Sequence, residues 1–210
     1  MDVVRRVRRA AGGAKTGHAG TLDPLATGVV VCCLGRATKS VPRLMALTKV
    51  YDAKIDLSAF TNTDDLEGIR EEIMVALEPE RVVLAEALQS FVGLIEQKPP
   101  AHSAVHVDGQ RAYRRARRGE MFEMPLRKVR VDAVELLEYR WPMTSVRVTC
   151  GKGTYIRSIA RDLGRRLGVG GHLAALRRTA VGPYGLATAV DERCLERSIA
   201  QGDLLDVPGE

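Results

Sequence analysis

The chain is 210 residues long, 45% hydrophobic and 28% charged, with a formal net charge of +6, enough to bury a core as one large domain, the default, or as two small ones, without disulfides or a structural metal. Its longest apolar run, Val29 to Leu34, cannot cross a bilayer, and its start, with Arg5, Arg6, Arg8 and Arg9 among valines, lacks the apolar stretch of a secretory signal, so a cytoplasmic protein is expected. The basic excess is mostly arginine, which suits planar, bidentate contact with phosphate and points weakly toward nucleic acid.

Val3 to Ala11 places Val3, Val4, Val7, Ala10 and Ala11 at helical spacing with arginines on the other face, predicting an amphipathic helix. Gly12, Gly13, Gly17 and Gly20 end it and lead through Thr21-Leu22-Asp23-Pro24 into Val29 to Leu34, a buried strand by its β-branched content. Lys49 to Leu57 alternates, with Tyr51, Ala53, Ile55 and Leu57 on the inward face of a predicted half-buried strand. Thr61 to Gly68 reads as a polar turn; its Asp64-Asp65 pair lacks the spacing and terminal glutamate of a calcium loop, and no metal is expected. Val82 to Val92 predicts a helix closed by Gly93, after which Lys98-Pro99-Pro100 halts regular structure.

Ser103 to Val107 and an Asp108-Gly109 turn precede a short basic helix at Arg111 to Arg118. Strands are predicted at Val129 to Tyr139 and Ser145 to Cys150, then a helix between Gly153 and Gly168 with Thr154 as N-cap. Hairpin-like strand pairs with separate helices predict an α+β fold. Cys32, Cys33, Cys150 and Cys194 form no C-x-x-C pair and are expected to be reduced and structural.

The stretch Gly17-His18-Ala19-Gly20-Thr21-Leu22-Asp23-Pro24-Leu25-Ala26-Thr27-Gly28 is the most informative. Pro24 pushes Asp23 toward extended backbone, which fixes the direction of its carboxylate; a plain Asp-Pro turn is the alternative from spacing alone. Tyr51 and Leu176 equally suit an ordinary core, Arg157 an ordinary surface, and the cluster Arg111, Arg114, Arg115, Arg117 and Arg118 around Tyr113 a solvated helix face.

That loop closely resembles the signature of the TruB family of pseudouridine synthases. The resemblance continues through Leu34-Gly35-Arg36-Ala37-Thr38-Lys39, Lys49-Val50-Tyr51 and Thr61 to Gly68. It covers Gln97-Lys98-Pro99-Pro100-Ala101-His102-Ser103-Ala104, Lys152-Gly153-Thr154-Tyr155-Ile156-Arg157-Ser158 and His172-Leu173-Ala174-Ala175-Leu176-Arg177-Arg178, and so nearly the whole chain. It implies a pseudouridine-synthase-like, mainly antiparallel sheet flanked by helices: a catalytic domain over residues 1–198, with an RNA-clasping insertion at about 98–125, and a tail at 199–210. It implies isomerisation of the T-loop uridine 55 of tRNA with Asp23 as catalytic residue and no cofactor.

By the same resemblance, Tyr51 stacks on the target base and helps remove the C5 proton, Arg157 pairs with the catalytic carboxylate, and Tyr155 and Leu176 line the base pocket. His18 fills the space the everted base leaves, and Arg111, Arg114, Arg115, Arg117 and Arg118 contact RNA. The implied partner is the T-arm stem-loop, with neither guide RNA nor membrane, and the enzyme is expected to be a monomer; the alternative function is a non-catalytic tRNA-binding or tRNA-folding protein. The family pattern usually opens with an apolar strand, a Lys-Pro-x-Gly turn and a Ser-Ser helix start, and the first residues here match that helix. Leu204 to Pro208 resembles the exit from the catalytic domain, with no small C-terminal RNA-binding domain expected. Asn62 and His102 stand where the family favours aspartate and tyrosine.

Overall fold

The computed structural model describes residues 2–196, 198–205 and 207. In chain order its elements are α1 (Asp2–Ala10), β1 (Thr16–His18), β2 (Ala26–Gly28), β3 (Cys32–Leu34), α2 (Val41–Ala46), β4 (Lys49–Asp56), β5 (Ala59–Thr61), β6 (Arg70–Glu72) and α3 (Arg81–Gln89). There follow β7 (Gly93–Gln97), β8 (His106–Val107), β9 (Gln110–Arg111), α4 (Ala112–Arg117), β10 (Arg127–Arg140), β11 (Met143–Cys150), α5 (Ile156–Leu167), β12 (His172–Val181) and β13 (Tyr184–Gly185). The fold is α+β with a mainly antiparallel sheet, as the sequence predicts. Two compact units divide it, Met1–Lys49 with Arg178–Glu210, and Val50–Arg177. Of the expected catalytic domain and tail, Met1, Arg197, Asp206 and Pro208 to Glu210 lie outside the described residues, and these include Asp206 and Pro208 of the expected domain exit. No described helix is long and apolar enough to cross a membrane.

The larger unit is built on strands in the order β12-β4-β11-β10-β7. β10 pairs antiparallel with β11, placing Val134 opposite Val148, and with β7, placing Val129 opposite Ile95. Register shifts after Val131 and Leu136 bend this long strand. Period-two alternation buries Thr144, Val146, Val148 and Cys150 along β11. Helices α3 and α5 pack together, with Leu84 and Leu88 of one and Ile159 and Leu163 of the other withdrawn from solvent. α5 ends on Gly168 in the left-handed region, and beyond it the backbone passes so close to Ala59 that a Cβ on Gly170 would lie 2.2 Å from the Ala59 nitrogen. In the smaller unit β1 pairs antiparallel with β3, and Ala19, Cys33 and Leu44 form a small core with Val31, Ala37, Val41, Leu47 and Tyr184. All four cysteines are free thiols; Cys33 and Cys150 are buried and Cys194 is exposed.

Four local expectations are corrected. The strand predicted over Val29 to Leu34 shrinks to β3, because the amide and carbonyl of Val29 bond to Arg178. Gly93 does not cap α3: the cap is Ser90, whose amide donates to Glu86, and Gly93, at φ 114°, opens β7. Thr154 does not cap α5; its hydroxyl donates back to Gly151, and the N-cap is Tyr155. The basic helix starts at Ala112, with Arg111 in β9.

Replacing Leu163 with alanine removes a fully buried side chain between packed elements. It should cost about 2–5 kcal/mol in urea unfolding, whereas Leu94→Ala, on an exposed position of β7, should stay within about 0.5 kcal/mol of the parent.

Candidate active site

Each unit contains part of the set singled out from sequence. In the smaller one, His18 ends β1, half-buried, and its Nδ1 is buried without a hydrogen-bond partner. Asp23 is half-buried and opens a turn in which the Ala26 amide donates to the Asp23 carbonyl at 2.9 Å, with Pro24 and Leu25 as its central residues. Proline at the first central position presets the backbone angle that such a turn requires.

The loop around Asp23 is organised by Arg178, which is 1% exposed. Its Nε donates to the Val29 carbonyl at 2.8 Å, Nη2 to Gly20 at 3.0 Å and Nη1 to Thr21 at 3.3 Å, while the Val29 amide donates to the Arg178 carbonyl at 2.8 Å. Burying a guanidinium costs several kcal/mol unless oxygens meet its donors. Only a planar fork reaches three carbonyls in divergent directions. Gly28, at φ 101°, completes the arrangement: a Cβ there would lie 2.1 Å from the Arg178 carbonyl oxygen.

In the larger unit, Tyr51 lies on β4, partly buried rather than fully inward, and Leu176 is buried on β12. Arg157, in the first turn of α5, is 5% exposed. It donates to the Asp65 carboxylate and the Thr63 carbonyl, each at 3.2 Å, and to the His102 carbonyl at 3.1 Å. One turn on, Arg161 is 7% exposed and bonds to Asp64 at 2.7 Å, to Asp162 at 2.8 Å and to the Lys98 carbonyl at 2.8 Å. The turn at 61–68 is therefore the acidic counterpart of α5, with Asp64 at φ 60° and the Asp65 carboxylate also accepting from the Thr63 hydroxyl. Burial pushes the Asp64 carboxyl above its ordinary value against the opposing pull of Arg161, while burial works to lower the Arg161 guanidinium and the carboxylates of Asp162 and Asp64 more than offset it, holding it above its own.

Tyr155 precedes α5 and is fixed through its backbone. Its amide donates to Gln97 Oε1 at 2.8 Å, and Gln97 Nε2 donates back to its carbonyl at 3.0 Å. Its side chain packs on a small core of Val105, Ala112 and Met124. That core lies within the expected insertion, where the β8–β9 hairpin turns through Asp108 and Gly109, both with positive φ.

The five basic residues divide in two. Arg115 bonds to Asp108 at 2.8 Å and Glu120 at 2.9 Å and lies 4.7 Å from the Phe122 ring centroid, while Arg118 bonds to Glu120 and Gln110. Arg114 and Arg117 instead flank the Tyr113 ring at 5.9 and 5.6 Å, and Arg111 belongs to the same field. The hydrogen bond from Arg114 and these charges hold the Tyr113 phenol below its ordinary value. Among the described residues no cluster of histidines, cysteines and carboxylates suits a metal ion.

Comparison with known proteins shows the family of the chain. The model of the TruB family pseudouridylate synthase N-terminal domain matches residues 8–156, and that of the tRNA pseudouridylate synthase B C-terminal domain matches residues 157–206. The chain belongs to the TruB family. Among its relatives, the tRNA pseudouridine synthase B of Leifsonia xyli subsp. xyli is 50% identical over 209 residues, covering 95% of this chain and 68% of its own. Those of Corynebacterium diphtheriae and Thermobifida fusca are 47% and 48% identical over 94% of this chain, which spans 68% and 71% of them. Among solved structures, a Cbf5-Nop10-Gar1 complex contains a chain with TM-score 0.66 and 31% identity, covering 87% of this chain and 45% of that one. The archaeal box H/ACA sRNP Nop10-Cbf5 complex gives 0.66 and 28%, covering 92% and 48%. This TruB family chain thus spans less than half the length of those structural relatives.

Sequence reasoning missed Arg178, Asp64, Asp65 and Gln97. For Arg178 a signal existed: on β12 it shares the inward face with Leu176, whereas Arg177 is exposed, and an arginine at an inward strand position needs partners. Asp65 and Arg157 are each about one-twentieth exposed, so Asp65→Ala, which removes the buried carboxylate facing the guanidinium, should cost about 3–5 kcal/mol in urea unfolding. A loss under about 1 kcal/mol would mean that the pair contributes no more than a surface ion pair.

Proposed function

We propose that this chain converts uridine to pseudouridine in tRNA, at uridine 55 of the T-loop, with Asp23 as catalytic carboxylate and without a cofactor. The observation that carries the reading is the Asp23 turn, presented by a clamped loop in a chain that belongs to the TruB family. Membership supports the chemistry, and the relatives' names support tRNA as substrate. In the reaction the bond between uracil N1 and ribose C1′ breaks, the base turns, and C5 bonds to C1′. C5 gives up its proton and N1 takes one, so atoms and electrons balance within the nucleotide.

A carboxylate is a competent covalent catalyst for this step, and the site must keep water from the loosened base. Tyr51 is read as the residue stacking on the base and assisting C5 proton removal, Arg157 as the partner of the catalytic carboxylate, and Tyr155 and Leu176 as pocket walls. His18 is read as the wedge for the vacated position. Extruding a base costs a few kcal/mol, least from a loop, which favours a T-loop uridine. Recognition is read as following the shape of the stem-loop, through phosphate contacts from Arg111, Arg114 and Arg117, with no guide RNA, by a monomer in the cytoplasm.

The direct test uses tRNA transcript tritiated at uridine C5. The parent should release about one equivalent of tritium per tRNA and Asp23→Asn, at equal RNA occupancy, at least about 1,000-fold more slowly; no release by the parent despite salt-sensitive tRNA binding would leave a non-catalytic tRNA-binding protein. A second test separates the arginines. Arg114→Ala and Arg117→Ala should each lower the slope of log affinity against log salt by about 0.7–0.9, while Arg115→Ala should mainly lower the insertion's resistance to proteolysis.

A further inference from the structure

We infer that Arg178 is a positioning residue for Asp23, setting the reach of the catalytic loop through the main chain on both sides of it; this rests on the reading of Asp23 as the catalytic carboxylate. The guanidinium holds the loop at Gly20 and Thr21, three and two residues before Asp23, and at Val29, six residues after it. The Arg178 backbone holds Val29 a second time. Three donors of one rigid plane thus extend the hold of the β1–β3 pairing onto the loop's two ends, while Pro24 and the turn from Asp23 to Ala26 fix what lies between them.

The residue is nearly inaccessible to solvent, so phosphate contact does not explain an arginine at this position. Packing does not either, since a leucine or methionine would fill the space without requiring three carbonyls. What the guanidinium adds is directional: just beyond the β1–β3 pairing, whose last bond runs from the Ala19 amide to the Val31 carbonyl, it gathers carbonyls from both ends of the loop. Gly28 is constrained by the same contact, since any side chain there would meet the Arg178 carbonyl and push the loop away.

The experiment compares the full chain with Arg178→Lys, Arg178→Met and Asp23→Asn in single-turnover tritium release with enzyme in excess, alongside tRNA affinity and thermal unfolding. Displacing a catalytic group by about 1 Å can cost about 100-fold in rate. Arg178→Met should therefore turn over about 100-fold more slowly with tRNA affinity within about threefold of the parent, and Arg178→Lys should recover part of the rate. A folded Arg178→Met variant turning over at the parent rate would overturn the inference. So would a loss of rate matched by an equal loss of affinity, or failure of both variants to fold, which would make Arg178 a determinant of the fold alone. If only Arg178→Lys folds, a lowered rate at parent affinity supports the inference and a parent rate overturns it. Parent activity in Asp23→Asn would instead sink the reading of Asp23, whatever the arginine variants do.

Discussion

A guanidinium taken out of water must be met by oxygen at each donor, and this requirement shapes both units of the molecule. Arg178, Arg157 and Arg161 are each less than one-tenth exposed. Their donors reach loop residues outside the strands: Gly20, Thr21 and Val29 for Arg178, and residues 63–65 with Lys98 and His102 for the other two. Such loops have too little apolar surface to fix themselves by packing, whereas hydrogen bonds to a buried cation are among the stronger polar contacts available, roughly 1.5–3 kcal/mol each. The cost of burying the charge is thereby converted into loop geometry.

The arginines of the insertion follow different physics. There the side chains are mostly in solvent, ion pairs contribute little individually, and the order comes from Val105, Ala112 and Met124 with a tight hairpin. Arg115 and Arg118 neutralise Asp108 and Glu120 within the insertion. Arg114 and Arg117 stand against the Tyr113 ring and leave a cationic, aromatic surface, the combination that stacking and phosphate contact use together.

Much of this was legible in the sequence where the signal is local. The arginine-faced helix α1, the alternation of β11 and the apolar period of α5 were each readable from spacing, and the residues from Gly17 to Gly28 announced the loop by composition and by resemblance to the family. What was not legible depends on partners far along the chain. Val29 was read as strand, but its backbone groups go to Arg178, 149 residues away. The Asp64-Asp65 pair was read as part of a polar turn and family motif and rejected as a metal loop, but not as an arginine partner, because nothing near it in sequence reveals the two arginines of α5. Strand β12 was seen as a motif and not as a strand, since its alanines and arginines carry little β-propensity and its place in the sheet is set by neighbours. The five arginines at 111–118 looked alike in sequence, and only the positions of Asp108, Gln110 and Glu120 separate them.

The account's central claim is that this chain makes pseudouridine at one position of tRNA. The most direct measurement is to incubate the chain with an unmodified tRNA transcript, treat the RNA with a carbodiimide that forms an alkali-stable adduct at pseudouridine, and map reverse-transcription stops. The account predicts one new stop, one nucleotide 3′ of uridine 55, that grows to near completeness and is absent with Asp23→Asn. A transcript that binds the chain yet shows no new stop, or stops spread over many uridines, would contradict it.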